Sequence, residues 1–481
     1  MIEADEPIRL LLDQLASSNP KFRDALFLKA QHLSGGAINR NDRLTLQLED
    51  GSVSDLVMRR ARGTPVPGTL SRDQEFKLVH ALFHAGVTVP EPIGIVQANN
   101  IQASFFRWCN GLTDPRTILK SYAGLSPEQS SNLAMQLGTT LGVIHSESLA
   151  QGLESDAKSG FTYRPADGVS GSVDTLEESF RQVKAPPSYL VFAMKCICDE
   201  AKNFNNNRPA VLCHNDFRLG NLMFSSSPDA TADTSQEPLS SYDAARSGEP
   251  YLAAILDWEF AQWGDPMADL GWLTATCWRF GGSQPVAGFL PLEPFLAGYR
   301  LKVKGFEDAW LSELSFWQRF AHLRWAIIAC QQGERALTTR EETLELMITG
   351  LMTPSIVQPV VEHYLGRTIE PLKLTTCGGR LDHDPSGRHK LSYRSEASDL
   401  LREAWQLLRQ EVSVSDSVKG KLKYQILMAA NAVRLAMASD QFSTEVGRIE
   451  NSVNEIAVEA EYDLARDLAV WNYQPQAGHT L

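Results

Sequence analysis

The stretch Val211–Phe224, "VLCHNDFRLGNLMF", decides how this chain is read. An apolar run gives way at His214 to Asn215, Asp216, Phe217, Arg218, Leu219, Gly220 and Asn221, and then turns apolar again at once. A lone aspartate held between apolar flanks would lose its hydration with nothing to replace it, which is costly in a low-dielectric interior. A loop that lifts several polar groups to the mouth of a site avoids that cost. The segment therefore reads as strand, polar loop, strand, with the loop carrying chemistry.

Within the loop, Asp216 is a candidate base, and Asn221, five residues on, is a neutral oxygen ligand. Thirty-six residues beyond Asn221, "AILDWEF" repeats the device, an apolar strand ending in Asp257. Magnesium selects hard oxygen ligands and keeps phosphates and waters in its shell, so an Asn and an Asp from neighbouring strand ends suit it. Between the two strands, Ser225–Pro250 is rich in Ser, Asp, Ala and Pro and reads as a mobile surface insertion.

Upstream, "RLTLQL" (Arg43–Leu48) alternates like a half-buried strand, "EDGS" supplies a turn, and "VSDLVMRR" returns as a second strand. "SRDQEFKLVHALFHAG" has apolar residues at helical spacing and stops at Gly86, and "VPEPIGIVQ" and "IQASFFRWCNG" add two strands that close a small sheet. Ahead of this sheet, "LSGGAINR" offers Ser34, Gly35, Gly36 and Asn39, whose glycines let backbone N–H groups approach phosphate oxygens. "VMRR" ends in Arg59 and Arg60, with Glu75 in the following helix. A strand-borne cation clamped by a helix-borne carboxylate is how kinases grip the α- and β-phosphates. Beyond Gly111 the pattern is mainly helical, as in "SPEQSSNLAMQLGTTLGVIHS" with its Ser126-Pro127-Glu128 start. The pattern as a whole is α+β.

The chain of 481 residues, 43% hydrophobic and 21% charged, is long enough for more than one domain. Its net charge of -13 argues against nucleic-acid or anionic-membrane partners, without forbidding a local phosphate pocket. No apolar run approaches the roughly 20 residues needed to span a bilayer. The acidic "MIEADEPIRL" lacks the order of a signal peptide, and the seven scattered cysteines show neither zinc spacing nor a disulfide framework. A cytoplasmic location is the expectation.

The order of Gly-rich loop, strand cation, helix Glu, H-x-D-x-x-x-x-N and a later strand-end Asp resembles the protein-kinase-like fold. "HNDFRLGNLMF" and "ILDWEFAQWGDPMADLGWL" resemble the aminoglycoside phosphotransferase-like family within it, which has D-W-E where protein kinases have D-F-G. The likeness covers about residues 20 to 365 and is nearest to the kinases linked to acyl-CoA dehydrogenases, also through "VMRRARG", "EFKLVHAL" and "GVTVPEPIG". It implies a bilobal fold, with a small mainly β N-lobe over 20–110 and a large mainly α C-lobe over 111–370 that carries the insertion at 225–250. A linker at 371–397 and a small all-α domain over 398–474 follow, the latter resembling a helical domain commonly encoded beside such kinases.

The resemblance implies ATP and Mg²⁺ as cofactors and phosphorylation of a small-molecule hydroxyl, that of a 4-hydroxyacyl-CoA, with a dehydrogenase-like partner removing the phosphate. Carried over, Asp216 is the catalytic base and Asn221 with Asp257 the metal ligands. Ser34, Gly35, Gly36 and Asn39 cover the phosphates, and Glu75 pairs Arg59, which stands where the family has Lys. Arg218 is a candidate stabiliser of the transferring phosphoryl group, and Phe105–Gly111 the hinge for adenine. A kinase of an aminoglycoside, amino alcohol or sugar and a non-catalytic scaffold remain the alternatives. Among other polar residues, His214 reads as a brace for the loop, Asp269 as an acceptor for loop backbone, and His145 as a core histidine. His80 and His84 share a helical face without a third ligand in the pattern.

Overall fold

The computed structural model describes residues 6–33, 39–61, 68–155, 168–184, 186–204, 208, 210–225, 249–338, 346, 349–350 and 352–368. Ser34 to Gly36, residues 226–248 of the insertion, the linker and the expected C-terminal helices lie outside them. The chain divides into two compact units, 1–175 with 201–321, and 176–200 with 322–481.

The first unit opens with α1 (Glu6–Ser18) and a five-stranded antiparallel sheet of β1 (Leu26–Leu33), β2 (Asn39–Gln47), β3 (Val53–Ala61), β4 (Pro92–Ala98) and β5 (Ile101–Arg107). Its order is β1-β2-β3-β5-β4, with α2 (Arg72–His84) between β3 and β4. The β2–β3 hairpin turns at Gly51, whose φ of 81° suits a residue without Cβ. Ser54, Leu56 and Met58 of β3 are buried at alternate positions, as a strand with one covered face requires. Beneath that face Leu11 and Leu15 of α1, one helical turn apart, join Leu44, Leu46, Leu56, Met58 and Phe105 in one core. Ser71 caps α2 in a capping box with Gln74, and Glu75, Leu78, Val79 and Leu82 form its buried stripe.

After the sheet come α3 (Pro115–Ser121), α4 (Pro127–Ile144), α5 (Glu147–Ser155), α6 (Gly168–Arg181) and α7 (Ser188–Ala201). Four short strands follow, β6 (Val211–Cys213), β7 (Leu222–Ser225), β8 (Tyr251–Ile255) and β9 (Gln262–Gly264). The further helices among the described residues are α8 (Pro266–Thr274), α9 (Leu292–Arg300), α10 (Asp308–Ser312), α11 (Leu314–Thr338) and α12 (Thr353–Leu365). This is a mainly β part followed by a mainly helical one, the α+β arrangement of the protein-kinase-like fold. Helices α4 and α9 cross closely: a Cβ on Gly138 would overlap the Phe295 carbonyl, and one on Gly298 the carbonyl of Met135.

The short strands place the site. β6 pairs with β9 and β7 with β8, both antiparallel. The β6–β7 loop and the β8–β9 loop therefore emerge side by side from two nested ribbons. The first is the polar stretch His214–Asn221, and the second carries Asp257.

In the second unit, His322 Nδ1 hydrogen-bonds the Ile356 carbonyl at 2.7 Å and Gln331 Nε2 donates to the Ser179 carbonyl at 2.7 Å. Val357, Val360 and Val361 are buried there. No helix of the described residues is long and apolar enough to cross a membrane.

Candidate active site

Three hydrogen bonds staple the two loops together. Leu256 N donates to the Asn221 carbonyl at 2.9 Å, His214 Nε2 reaches the Leu256 carbonyl at 3.0 Å, and Asn215 Nδ2 donates to the Phe260 carbonyl at 3.2 Å. Asn215 and Asp257 each adopt a left-handed backbone, with φ of 60° and 67°. Such a conformation costs about 1–2 kcal/mol for a residue with a Cβ, so the loops spend stability on aiming side chains. His214 braces its loop from within. Its Nδ1 accepts from Asp216 N at 3.2 Å, and burial pushes its pKa down, so the ring is neutral. Asp269 of α8 accepts from the backbone N–H groups of His214 and Asn215, each at 2.7 Å.

Asp216 sits 7% exposed at the centre. Its Oδ1 accepts from Arg218 Nε at 2.9 Å and from Trp272 Nε1 at 3.0 Å. Its Oδ2 accepts from Asn221 Nδ2 at 2.6 Å, and the same amide nitrogen reaches the Asp216 carbonyl at 2.9 Å. With Nδ2 committed, the Asn221 side chain keeps Oδ1 as an acceptor without a partner among the described residues. The Arg218 guanidinium lies 4.7 Å over the Trp278 ring, which is tilted by 39° against the Trp272 ring at 5.1 Å.

Across from this loop, Arg59 at the end of β3 faces three carboxylates. Nη1 lies 3.0 Å from Glu75 Oε1, and Nη2 meets Asp257 Oδ1 and, at 3.2 Å, Glu259 Oε2. The fork shape of Arg, which Lys lacks, allows one side chain to hold both a helix carboxylate and the β8–β9 loop. Burial works against the charge on Arg59, but Glu75, Asp257 and Glu259 together push its pKa above the ordinary value. Burial raises Glu75, and burial with the Asp257 charge raises Glu259 to about 8. Burial disfavours ionised Asp257 too, yet the Arg59 guanidinium holds it below the ordinary carboxylate value.

Asn39 joins this cluster by donating through Nδ2 to Glu259 Oε2 at 2.9 Å and accepting on Oδ1 from Arg72 Nη2 at 2.7 Å. Burial lowers the Arg72 pKa to about 10. Of Ser34, Gly35, Gly36 and Asn39, Asn39 is the one within the described residues. Phe105 is buried in the sheet core, and Leu112, just past the expected hinge, exchanges backbone hydrogen bonds with Phe224.

The donor set fits a hard divalent cation. Asn221 Oδ1 and the Asp257 carboxylate are both oxygens, and about a third of the Asp257 side chain is exposed. Arg59 Nε is buried and finds no acceptor among the described residues, as suits a cation that meets a further anionic group. His80 and His84 stand elsewhere, on the exposed face of α2 with their Nε2 atoms 3.2 Å apart. His145, Cys213 and Asp269 bring potential ligand atoms within 4.8 Å of one another, but each is spent on hydrogen bonds. His145 bonds Asp269 at 3.1 Å and Tyr299 at 2.8 Å, and Cys213 donates to the Asp265 carbonyl at 3.3 Å.

Two participants are not evident in the sequence pattern, Trp272 and Arg72, and a third, Glu259, has no role assigned to it there. Glu259 was in view as the third letter of D-W-E. The pairing of Trp272 with Asp216 spans 56 residues, and no local spacing announces it.

A kinase-like phosphotransferase is the class that this fold defines. The chain belongs to the phosphotransferase enzyme family, whose model it matches over residues 29–231 and 245–305. Mouse acyl-CoA dehydrogenase family member 10 is 25% identical over 328 residues, 63% of this chain and 26% of the mouse protein. Human acyl-CoA dehydrogenase family member 11 is 25% identical over 261 residues, 50% of this chain and 29% of the human one. The chain thus spans little more than a quarter of the curated relatives it matches. Among solved structures, an aminoglycoside-3'-phosphotransferase of type VIII aligns at 14% identity and a TM-score of 0.33, over 64% of this chain and 96% of that one. A putative fructosamine-3-kinase from Haemophilus somnus 129PT aligns at 11% and 0.37, over 72% and 96%.

Proposed function

We propose that the chain is an ATP- and Mg²⁺-dependent kinase acting on the hydroxyl of a small molecule, with a 4-hydroxyacyl-CoA as the acceptor. The observation that supports this most is the meeting of Asp216, Asn221 and Asp257 on two stapled loops opposite the Arg59–Glu75 pair. Asn221 and Asp257 would hold Mg²⁺, which supplies neutralisation of phosphate charge. Asp216 orients the acceptor hydroxyl and takes its proton as that oxygen attacks the γ-phosphorus in line. One O–P bond forms, the bond to the ADP oxygen breaks, and ADP carries away the electron pair. Arg59, held by Glu75, meets the nucleotide phosphates, and Arg218 steadies the transferring group. Ser34, Gly35, Gly36 and Asn39 cover the phosphates. Positioning and charge stabilisation do most of the work.

The CoA thioester rests on the likeness to proteins named as acyl-CoA dehydrogenases, which also suggests a dehydrogenase-like pathway partner, while the scattered cysteines support a cytoplasmic setting. A bulky CoA supplies remote binding energy that can be used to place the reacting hydroxyl, so removing it should lower kcat as well as raise KM. The test is phosphate transfer from Mg-ATP to a panel of 4-hydroxyacyl-CoA thioesters, their free acids, aminoglycosides, amino alcohols and sugars. The thioesters should be phosphorylated far better than the free acids. Equal turnover of the free acids would remove the CoA assignment. Preference for a cationic acceptor would move the protein to the aminoglycoside or amino alcohol class, and no transfer to any of them would favour a scaffold.

A further inference from the structure

We propose that Trp272 is the positioning residue that selects which oxygen of Asp216 meets the acceptor hydroxyl. This rests on the reading of Asp216 as the base. An ionised carboxylate has about two lone-pair directions on each oxygen. Oδ1 of Asp216 receives two donors, Arg218 Nε at 2.9 Å and Trp272 Nε1 at 3.0 Å, so its directions are filled. Oδ2 receives Asn221 Nδ2 at 2.6 Å alone from the described residues, leaving one direction open. The acceptor hydroxyl is thereby steered to Oδ2, the oxygen on the side of the proposed metal ligand Asn221.

The helix that carries Trp272 makes this arrangement rigid. Asp269 and Trp272 are three residues apart on α8 and so share a face. Asp269 grips the loop backbone at His214 and Asn215, while Trp272 grips the Asp216 side chain. A single helical turn fixes both the loop and the rotation of its carboxylate. Trp272 is 3% exposed, and a buried indole N–H needs an acceptor, so bond and burial enforce each other. Arg218 cannot replace it. Arg218 lies two residues from Asp216 on the same loop and would follow it in any shift, whereas α8 gives an external reference.

Trp272→Phe keeps the ring and removes the donor. Its kcat should fall about 10- to 100-fold, the worth of one hydrogen bond to a charged group, with KM for ATP unchanged. A double-mutant cycle isolates the coupling: adding Trp272→Phe to Asp216→Asn should lower the residual activity far less than it lowers wild type. Wild-type kcat within twofold in a folded Trp272→Phe protein, or equal losses in both backgrounds, would overturn the proposal. If Trp272→Phe does not fold, the indole N–H resonance of Trp272 decides instead. It should move upfield in Asp216→Ala, and an unmoved resonance overturns the proposal. An Asp216→Asn protein with more than half of wild-type kcat would sink the assignment of the base and not the contact.

Discussion

Asp257 has two partners to serve, Arg59 in the structure and Mg²⁺ in the proposed reaction, and it is the residue where the metal assignment is most exposed to test. Asp257→Ala should abolish Mg²⁺-dependent transfer, while His80→Ala and His84→Ala change it little, because Mg²⁺ prefers carboxylate oxygen to imidazole. Unchanged Mg²⁺ dependence in the Asp257 variant would remove the site. Asp269 carries a pH prediction. Burial opposes its ionisation, but hydrogen bonds from His145 and the loop backbone outweigh it and hold its pKa below the ordinary 3.8. A carboxylate with a depressed folded value contributes stability that is present above its unfolded value and lost as pH falls through the folded one. The Tm gap between wild type and Asp269→Asn should therefore be widest above about pH 4 and narrow below it; a gap that widens in acid would contradict this. At this scale, much was legible. Asp216, Asn221 and Asp257 stand out in the sequence because each lies where an apolar strand pattern breaks, and Arg59 and Glu75 as a strand cation and a helix carboxylate, which lie 3.0 Å apart in the structure. Trp272 and Arg72 were not, since they look like ordinary helix residues and matter only through partners far along the chain.

Elements that alternate, or that carry caps, were readable: four of the five sheet strands, the Ser71 and Ser126 helix starts, and the paired strands around the two loops. β1 was not. It is an edge strand without a single buried residue, with Leu26 63% exposed, so it has no two-residue rhythm to detect. α1 went unread as well, although Leu11 and Leu15 give it an apolar face. The α4–α9 crossing was equally invisible, because a glycine in a helical pattern does not say which backbone it admits. Gly138→Ala should overpack that crossing at a cost of about 1–3 kcal/mol, lowering Tm by about 2–12 °C. An unchanged melting temperature would mean the helices part without cost.

For the molecule as a whole, the insertion and the transfer reaction are the two properties to measure. Ser225 pairs with Tyr251 across β7–β8, so the ends of the insertion are held side by side. A short hairpin turn in place of 226–248 should preserve activity, since loop length has a small entropic effect. Loss of turnover with the fold intact would make the insertion part of the acceptor site. Its composition also makes it the expected first point of limited proteolysis. Overall charge was the least informative reading, because -13 sums the whole chain and does not locate the cluster around Arg59. The claim on which the rest depends is that Asp216 accepts the proton as phosphate is transferred. The most direct measurement is single-turnover phosphorylation of a 4-hydroxyacyl-CoA by wild type and Asp216→Asn at saturating Mg-ATP, followed by the mass of the product. One added phosphate is expected, formed roughly 10²- to 10⁴-fold more slowly by the variant, with nucleotide binding retained. A variant that transfers phosphate at more than half the wild-type rate would contradict it.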